Sequence, residues 1–314
     1  MKHFFLTFYE SVNNKWGDNF HMESNKRLVI LQSYIRKLPS FPTTVNKVME
    51  ICYDVNASPA DLSKVISLDP VLSGKVLQLV NSAYFGFAHE IVSPVKAIIM
   101  LGMNTVKNLA LGLAVMSTIG SGKNFHALDM DGFWKHSLGV GVISKLIAKK
   151  RNVDSKKLEG YFVAGLLHDI GKIALNEKFS DEYRLAMEIS GRKHQPLAMS
   201  ERQILGIDHA LAGNLIAENW KLGTEIIDTV SFHHSPETYN GEQKDILFTI
   251  ILANYFAKRS GIGFSGDPSM EDIWPQVFQY FSVGPDTTFD YFHDLMDEVA
   301  QEIENAQIFL NVAR

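Results

Sequence analysis

Apolar positions recur along most of the chain at the three- and four-residue spacing of helices packed on one face. Leu28 to Ile35 carries that spacing, and the Leu38-Pro39-Ser40-Phe41-Pro42 segment then stops the helix and holds the chain extended. Val45, Val48, Met49 and Cys52 form the stripe of the next helix. Ser58-Pro59 and Asp69-Pro70 each place a capping side chain before a proline suited to the first helical position, so two short helices are expected there. Their buried faces would be Leu62, Val65 and Ile66, then Leu72, Val76, Leu79 and Val80. Gly132 to Lys150 reads as a helix with His136, Gly139, Val140, Ile143 and Ile147 on one inward face. A further helix carries the run Val163-Ala164-Gly165-Leu166-Leu167. Another starts at Met199-Ser200-Glu201 and leads to His209, and Glu225 to Phe232 forms one that ends at a histidine pair.

Toward the C-terminus, Phe289, Phe292, Met296, Val299, Ile303, Ala306 and Leu310 alternate spacings of three and four, a heptad seam. Such a seam either lies on the bundle or pairs with a second copy in a homodimer. The pattern predicts an all-α fold of two helical lobes. The expected divisions are an extension over 1–27, an N-terminal lobe over 28–116, a connector over 117–131, a second lobe over 132–260 and a helical tail over 261–314. Gly261 to Gly266 reads as a flexible hinge on composition. The most apolar region, Val95 to Met116, is broken by Lys96, Asn104, Lys107 and Asn108 and reads as buried helices rather than a membrane span. The apolar run at Met1 to Leu6 lacks the cleavage site of a signal peptide, and Met22 offers an alternative start.

Composition narrows the function classes. With 314 residues and 46% hydrophobic content, the chain can bury a large core. A net charge of −5 with mixed signs supplies no basic stripe, so nucleic acid is not an expected partner, and neither is a membrane. One cysteine, Cys52, excludes an intrachain disulfide and a cysteine-rich zinc site, which fits a reducing compartment. A cytoplasmic location is expected.

The chemistry lies in the histidines. His168 and Asp169 are adjacent, and neighbours on a helix diverge by roughly 100°, so one metal could take both only at the helix flank, with Asp169 free to bridge to a second ion. His136, His209, His233, His234 and Asn254 are the other candidate ligands. Imidazoles with a single carboxylate suit iron, manganese or zinc better than calcium, as one or two ions. Lys172 either is solvated or caps a helix C-terminus, or else approaches a substrate phosphate, and Glu201 reads as a surface residue or a support for His209. His89, His126, His194 and His293 have no partners in the pattern and are expected at the surface.

The order of single His, His-Asp, His and His-His, then an oxygen-bearing residue on a late helix, resembles the HD superfamily of metal-dependent phosphohydrolases. The succession LPSFP, LDPVLSGKVLQLVNSAYFG, IVSPVKAIIMLGMNTVKNLALGL, FWKHS, LLHDIGK and GIDHALAGNLIAENW resembles the HDOD family, the HD-related output domains of bacterial signalling proteins. That resemblance covers roughly Leu38 to Asn254. It implies an all-helical domain in which His136, His168, Asp169 and Asn254 would hold one ion, and Asp169, His209, His233 and His234 a second. The chain departs from the enzyme pattern twice. Asn254 stands where the superfamily enzymes have aspartate, and Ser235 to Gly241 lacks the Gly-Tyr-Pro segment of the HD-GYP enzymes that hydrolyse cyclic di-GMP. The resemblance therefore implies a regulatory, non-catalytic module acting on a signalling protein partner. The alternative is a metal-dependent phosphohydrolase acting on a nucleotide or phosphodiester, with Asp169 and Lys172 as its working residues.

Overall fold

A computed structural model describes residues 18–54, 56–119, 127–269, 274–283 and 288–313, and among these no strand occurs. In chain order the helices are α1 (Asp18–Arg36), α2 (Thr43–Tyr53), α3 (Pro59–Ser67), α4 (Pro70–Val80), α5 (Pro94–Leu101) and α6 (Met103–Ile119). They continue as α7 (Met130–Lys150), α8 (Leu158–Leu167), α9 (Gly171–Lys178), α10 (Ser180–Lys193), α11 (Leu197–Leu205) and α12 (His209–Asn219). The last five are α13 (Thr224–Phe232), α14 (Lys244–Arg259), α15 (Pro275–Phe281), α16 (Thr288–Ala306) and α17 (Ile308–Ala313). The fold is all-α.

The proline-started helices form as their caps dictate. Ser58 Oγ accepts from the Asp61 amide and the Asp61 carboxylate accepts from the Ser58 amide, a reciprocal pair that satisfies two otherwise unpaired N–H groups. Asp69 Oδ1 accepts from Leu72 N at 2.9 Å. Leu62, Ile66, Leu72, Val76, Leu79 and Val80 are all buried, while Val65 is only partly covered.

The first helix differs from its expected extent. The polar stretch Glu23 to Arg27 belongs to α1, because its charges face solvent while Ser24 turns inward and bonds the Gly206 carbonyl at 3.0 Å. This helix packs on α9 and α12, tied by Tyr34 Oη to Glu177 at 2.6 Å and by Asn219 to the Ile35 carbonyl. The apolar opening at Met1 to Leu6 lies outside the described residues, as do the middle of the connector, 120–126, and His126.

Helix α8 organises the second lobe. From Tyr161 to Leu167 every residue is buried, as expected of a helix apolar on all sides, and α6, α7, α13 and α14 surround it. The tail lies on this lobe, with Leu295, Val299 and Ala306 buried and α16 packed along α7. The heptad seam is broken at Gln307, so Leu310 belongs to a separate helix; the side chains of Phe289 and Phe292 lie outside the described residues. Phe309 on α17 inserts between Tyr84 and Phe162, with ring centroids at 5.2 and 4.7 Å. No single described helix is long and apolar enough to cross a membrane.

Candidate metal centre

His168 and Asp169 sit in the turn that links α8 to α9, rather than within a helix. The turn lets the adjacent side chains converge, with His168 Nε2 3.2 Å from Asp169 Oδ2. Gly171 then starts α9 against α12, where a Cβ would overlap the His209 carbonyl oxygen. That close approach brings His209, at the start of α12, to Asp169, with Nε2 3.3 Å from Oδ1. His233, at the end of α13, places its Nε2 3.4 Å from the same oxygen. His234 Nε2 lies 2.8 Å from His209 Nε2. His136, midway along α7, meets Asn254 of α14, with 3.0 Å between Nε2 and Oδ1.

The structure thus brings together all seven expected ligand residues, His136, His168, Asp169, His209, His233, His234 and Asn254. They form two halves that share Asp169. In one, Asp169, His209, His233 and His234 offer ligand atoms within 4.8 Å of one another; in the other, His136, His168 and Asp169 do the same.

A common feature orients four of the imidazoles. His136 Nδ1 faces the Ile262 carbonyl at 3.2 Å, His168 Nδ1 that of Gly165 at 2.7 Å, and His233 Nδ1 those of Thr229 and Val230 at 3.1 and 3.0 Å. His209 Nδ1 faces Glu201 Oε2 at 2.6 Å. An acceptor on Nδ1 selects the tautomer that leaves the Nε2 lone pair free, and every Nε2 points inward. His168 Nε2, His233 Nε2 and Asp169 Oδ1 are buried without a hydrogen-bond partner, while Asp169 Oδ2 faces Lys172. Orphaned acceptors of this kind are costly to bury, and a divalent cation would satisfy them together. The donor set of imidazole nitrogens and one carboxylate fits a transition metal or zinc, which would supply Lewis acidity there.

At His136 and His233 the electrostatics agree with this presentation. Burial pushes the His136 and His233 imidazoles down to about 3, leaving both neutral near pH 7. Burial also opposes charge on His209, but the nearby Glu201 and Asp169 carboxylates outweigh it and raise that imidazole to about 9, so a metal there would displace the Nε2 proton. Burial acts against the Asp169 carboxylate too, yet His168 and Lys172 hold it well below the usual carboxylate range.

The structure decides between the two readings of Glu201 and corrects those of Lys172 and of the segment after Gly261. Glu201 is fully buried and accepts from both the backbone N and the ring of His209, so it is a support rather than a surface group. Lys172 is neither solvated nor a helix cap; it is 1% exposed, with Nζ 2.7 Å from Asp169 Oδ2. The segment after Gly261 is a packed loop and no hinge, with Ser265, Asp267 and Ser269 buried and the Ile262 carbonyl at His136. Gly263 has φ +63° and touches the His136 backbone, which leaves no room for a Cβ. Asp267 pairs with Lys258, one turn beyond Asn254. His89, His194 and His293 are exposed, as expected.

The HDOD domain family model matches residues 38–236. The chain belongs to the HDOD family. An HDOD domain protein of unknown function from Geobacter sulfurreducens superposes with a TM-score of 0.70 at 22% identity, covering 90% of this chain and 98% of that one. A signal transduction protein, so named provisionally, from Marinobacter aquaeolei VT8 gives 0.70 at 19% identity, covering 92% and 66%. A protein named provisionally as a phosphohydrolase, from Shewanella amazonensis SB2B, gives 0.64 at 20% identity, covering 89% and 97%. At these identities the likeness establishes the fold. An uncharacterized Treponema pallidum protein is 23% identical over 263 residues, 83% of this chain. The chain spans half or less of the length of the curated relatives it matches, 49% of that protein and 30% of a ribonuclease Y from Mycoplasmoides gallisepticum.

Proposed function

We propose that this HDOD chain is a bacterial signal-transduction module that works by docking a partner protein, with its histidine–aspartate centre holding a divalent metal as a structural or sensory element. The observation that carries the non-catalytic reading is the burial of the centre. His136, His168, Asp169, His209 and His233 are between 0 and 4% exposed, and the His234 ring is the ligand that reaches toward solvent. A phosphoester substrate needs an open coordination position and a route to it. Asn254 supports the same reading, since a neutral amide replaces the anionic ligand of the superfamily enzymes. Docking is supported by the N-terminal lobe, where the apolar side chains Leu68, Val71, Val92 and Ile99 are 68 to 73% exposed.

The retained ligand set favours a second reading, a metal-dependent phosphohydrolase acting on a nucleotide or phosphodiester. One experiment separates the two. Protein purified without chelator is analysed for metal and assayed against nucleotides and cyclic dinucleotides. The regulatory reading expects bound metal without turnover. Robust turnover abolished by Asp169→Ala would establish the hydrolase instead.

A further inference from the structure

We infer that the centre takes one divalent ion rather than two, in the half formed by Asp169 Oδ1, His209, His233 and His234, and that Lys172 and Asn254 close the other half. The inference rests on the metal-centre reading and concerns which of its atoms bind.

The two oxygens of Asp169 are not equivalent. Oδ1 faces His209 Nε2 and His233 Nε2 at 3.3 and 3.4 Å and has no hydrogen-bond partner. Oδ2 faces His168 Nε2 at 3.2 Å, and the Lys172 ammonium lies against it at 2.7 Å. Lys172 is buried, so moving its charge aside to admit a metal would strand an ammonium away from water. The ammonium already supplies the positive charge that an ion on the Oδ2 side would bring.

His136 and Asn254 complete the closure. With Nδ1–H given to the Ile262 carbonyl, the His136 Nε2 lone pair lies 3.0 Å from Asn254 Oδ1, and the two acceptors are reconciled by rotating the amide. Turned so that its NH2 faces the ring, the amide donates to Nε2 and satisfies both groups without an ion. An aspartate there would set acceptor against acceptor and demand a cation. Asparagine removes the demand.

Charge decides the same way. Asp169 and Glu201 are the two carboxylates that touch the imidazoles, Lys172 offsets one of them, and Asp267 is committed to Lys258. One dication leaves a single uncompensated positive charge in this interior, and a second would leave three, which a buried site does not sustain without added anions. A single ion cannot clamp both the attacking and the leaving oxygen of a phosphoryl displacement, so this asymmetry would not support two-metal chemistry.

The test is a Mn2+ titration of metal-free protein, following free Mn2+ by electron paramagnetic resonance and heat by calorimetry. One ion per chain is expected. His234→Ala should weaken its binding by about tenfold or more, whereas His136→Gln, whose amide can still bond Asn254, should leave the affinity unchanged. The double variant Lys172→Met/Asn254→Asp should bind two ions. Two ions on the wild-type chain, a loss of affinity in His136→Gln, or a double variant that still binds one would each overturn the half-site assignment. Wild-type protein with a native helical circular dichroism spectrum and no bound Mn2+ would instead overturn the metal-centre reading itself.

Discussion

Glu201 holds His209 by two atoms at once, its Oε2 lying 2.8 Å from the backbone nitrogen and 2.6 Å from ring Nδ1. The first bond adds to the Asp208 cap at the start of α12, and the second fixes which ring nitrogen faces Asp169. A carboxylate behind a ligand imidazole also strengthens it as a base. Glu201→Gln keeps the size and one acceptor but removes the charge, and is expected to lower metal affinity by about 10- to 100-fold. A Zn2+ competition titration with a chromophoric chelator measures this directly; affinity equal to the wild type would reduce Glu201 to a backbone cap.

What the sequence left open or misplaced has identifiable causes. Glu201 lies eight positions before His209, which on one continuous helix would leave them two turns apart. Gly206, with φ +74°, breaks the chain between α11 and α12 and folds the carboxylate back onto the imidazole. The glycines after Ser260 resembled a hinge by composition, yet Gly263 is small because the His136 backbone occupies the space of a side chain. The helix starts at Ser58 and Asp69 were legible because the cap and the proline act within three residues of each other. The ligand histidines were legible as an ordered set, through the resemblance; the carbonyls that orient His168 and His233 lie three or four residues back, whereas the Ile262 carbonyl at His136 is far along the chain and no spacing encodes it.

Gly171 gives a steric prediction. An added Cβ there would overlap the His209 carbonyl and press on the Gly213 amide, both backbone atoms that cannot rotate away. Gly171→Ala should destabilise the fold by about 1–3 kcal/mol or more, and should separate α9 from α12 enough to weaken metal binding in whatever protein remains folded. Urea unfolding with and without added Zn2+ tests both parts. A variant of wild-type stability would show that the two helices can part without cost.

Asp245 gives a pH prediction away from the centre. It joins Arg151, just after α7, Tyr161 of α8 and Tyr280 of α15, the last at 2.7 Å. Burial opposes its charge, but the two phenol hydroxyls and the guanidinium hold the carboxyl below its ordinary value. A depressed carboxylate contributes stability that is complete above its unfolded value of about 3.9 and is lost as pH falls through the folded value. Asp245→Asn should therefore melt below the wild type at pH 7, with the difference shrinking below about pH 4. Because the side chain is 35% exposed, salt should narrow the gap at pH 7 as well. A difference that persists unchanged at pH 3 would assign the loss to packing instead.

Phe309 tests what the C-terminal helix contributes to the union of the lobes. Its ring is fully buried between Tyr84, which follows α4, and Phe162 on the central helix α8, so one side chain contacts both lobes. Around it, Tyr84 Oη bonds Glu159 at 3.1 Å and Lys145 lies 4.0 Å above the Tyr84 ring, an arrangement that relies on the aromatic wall to exclude water. Phe309→Ala removes the wall and should cost about 3–5 kcal/mol, while Phe309→Leu should cost less because it refills much of the volume. Hydrogen exchange locates the damage. Amides of α4 and α17 should lose protection first, whereas those of α8 and α14, held on other sides by α7 and α13, should retain theirs. Uniform loss across both lobes would mean that the protein unfolds as one unit and that α17 seals no separate seam.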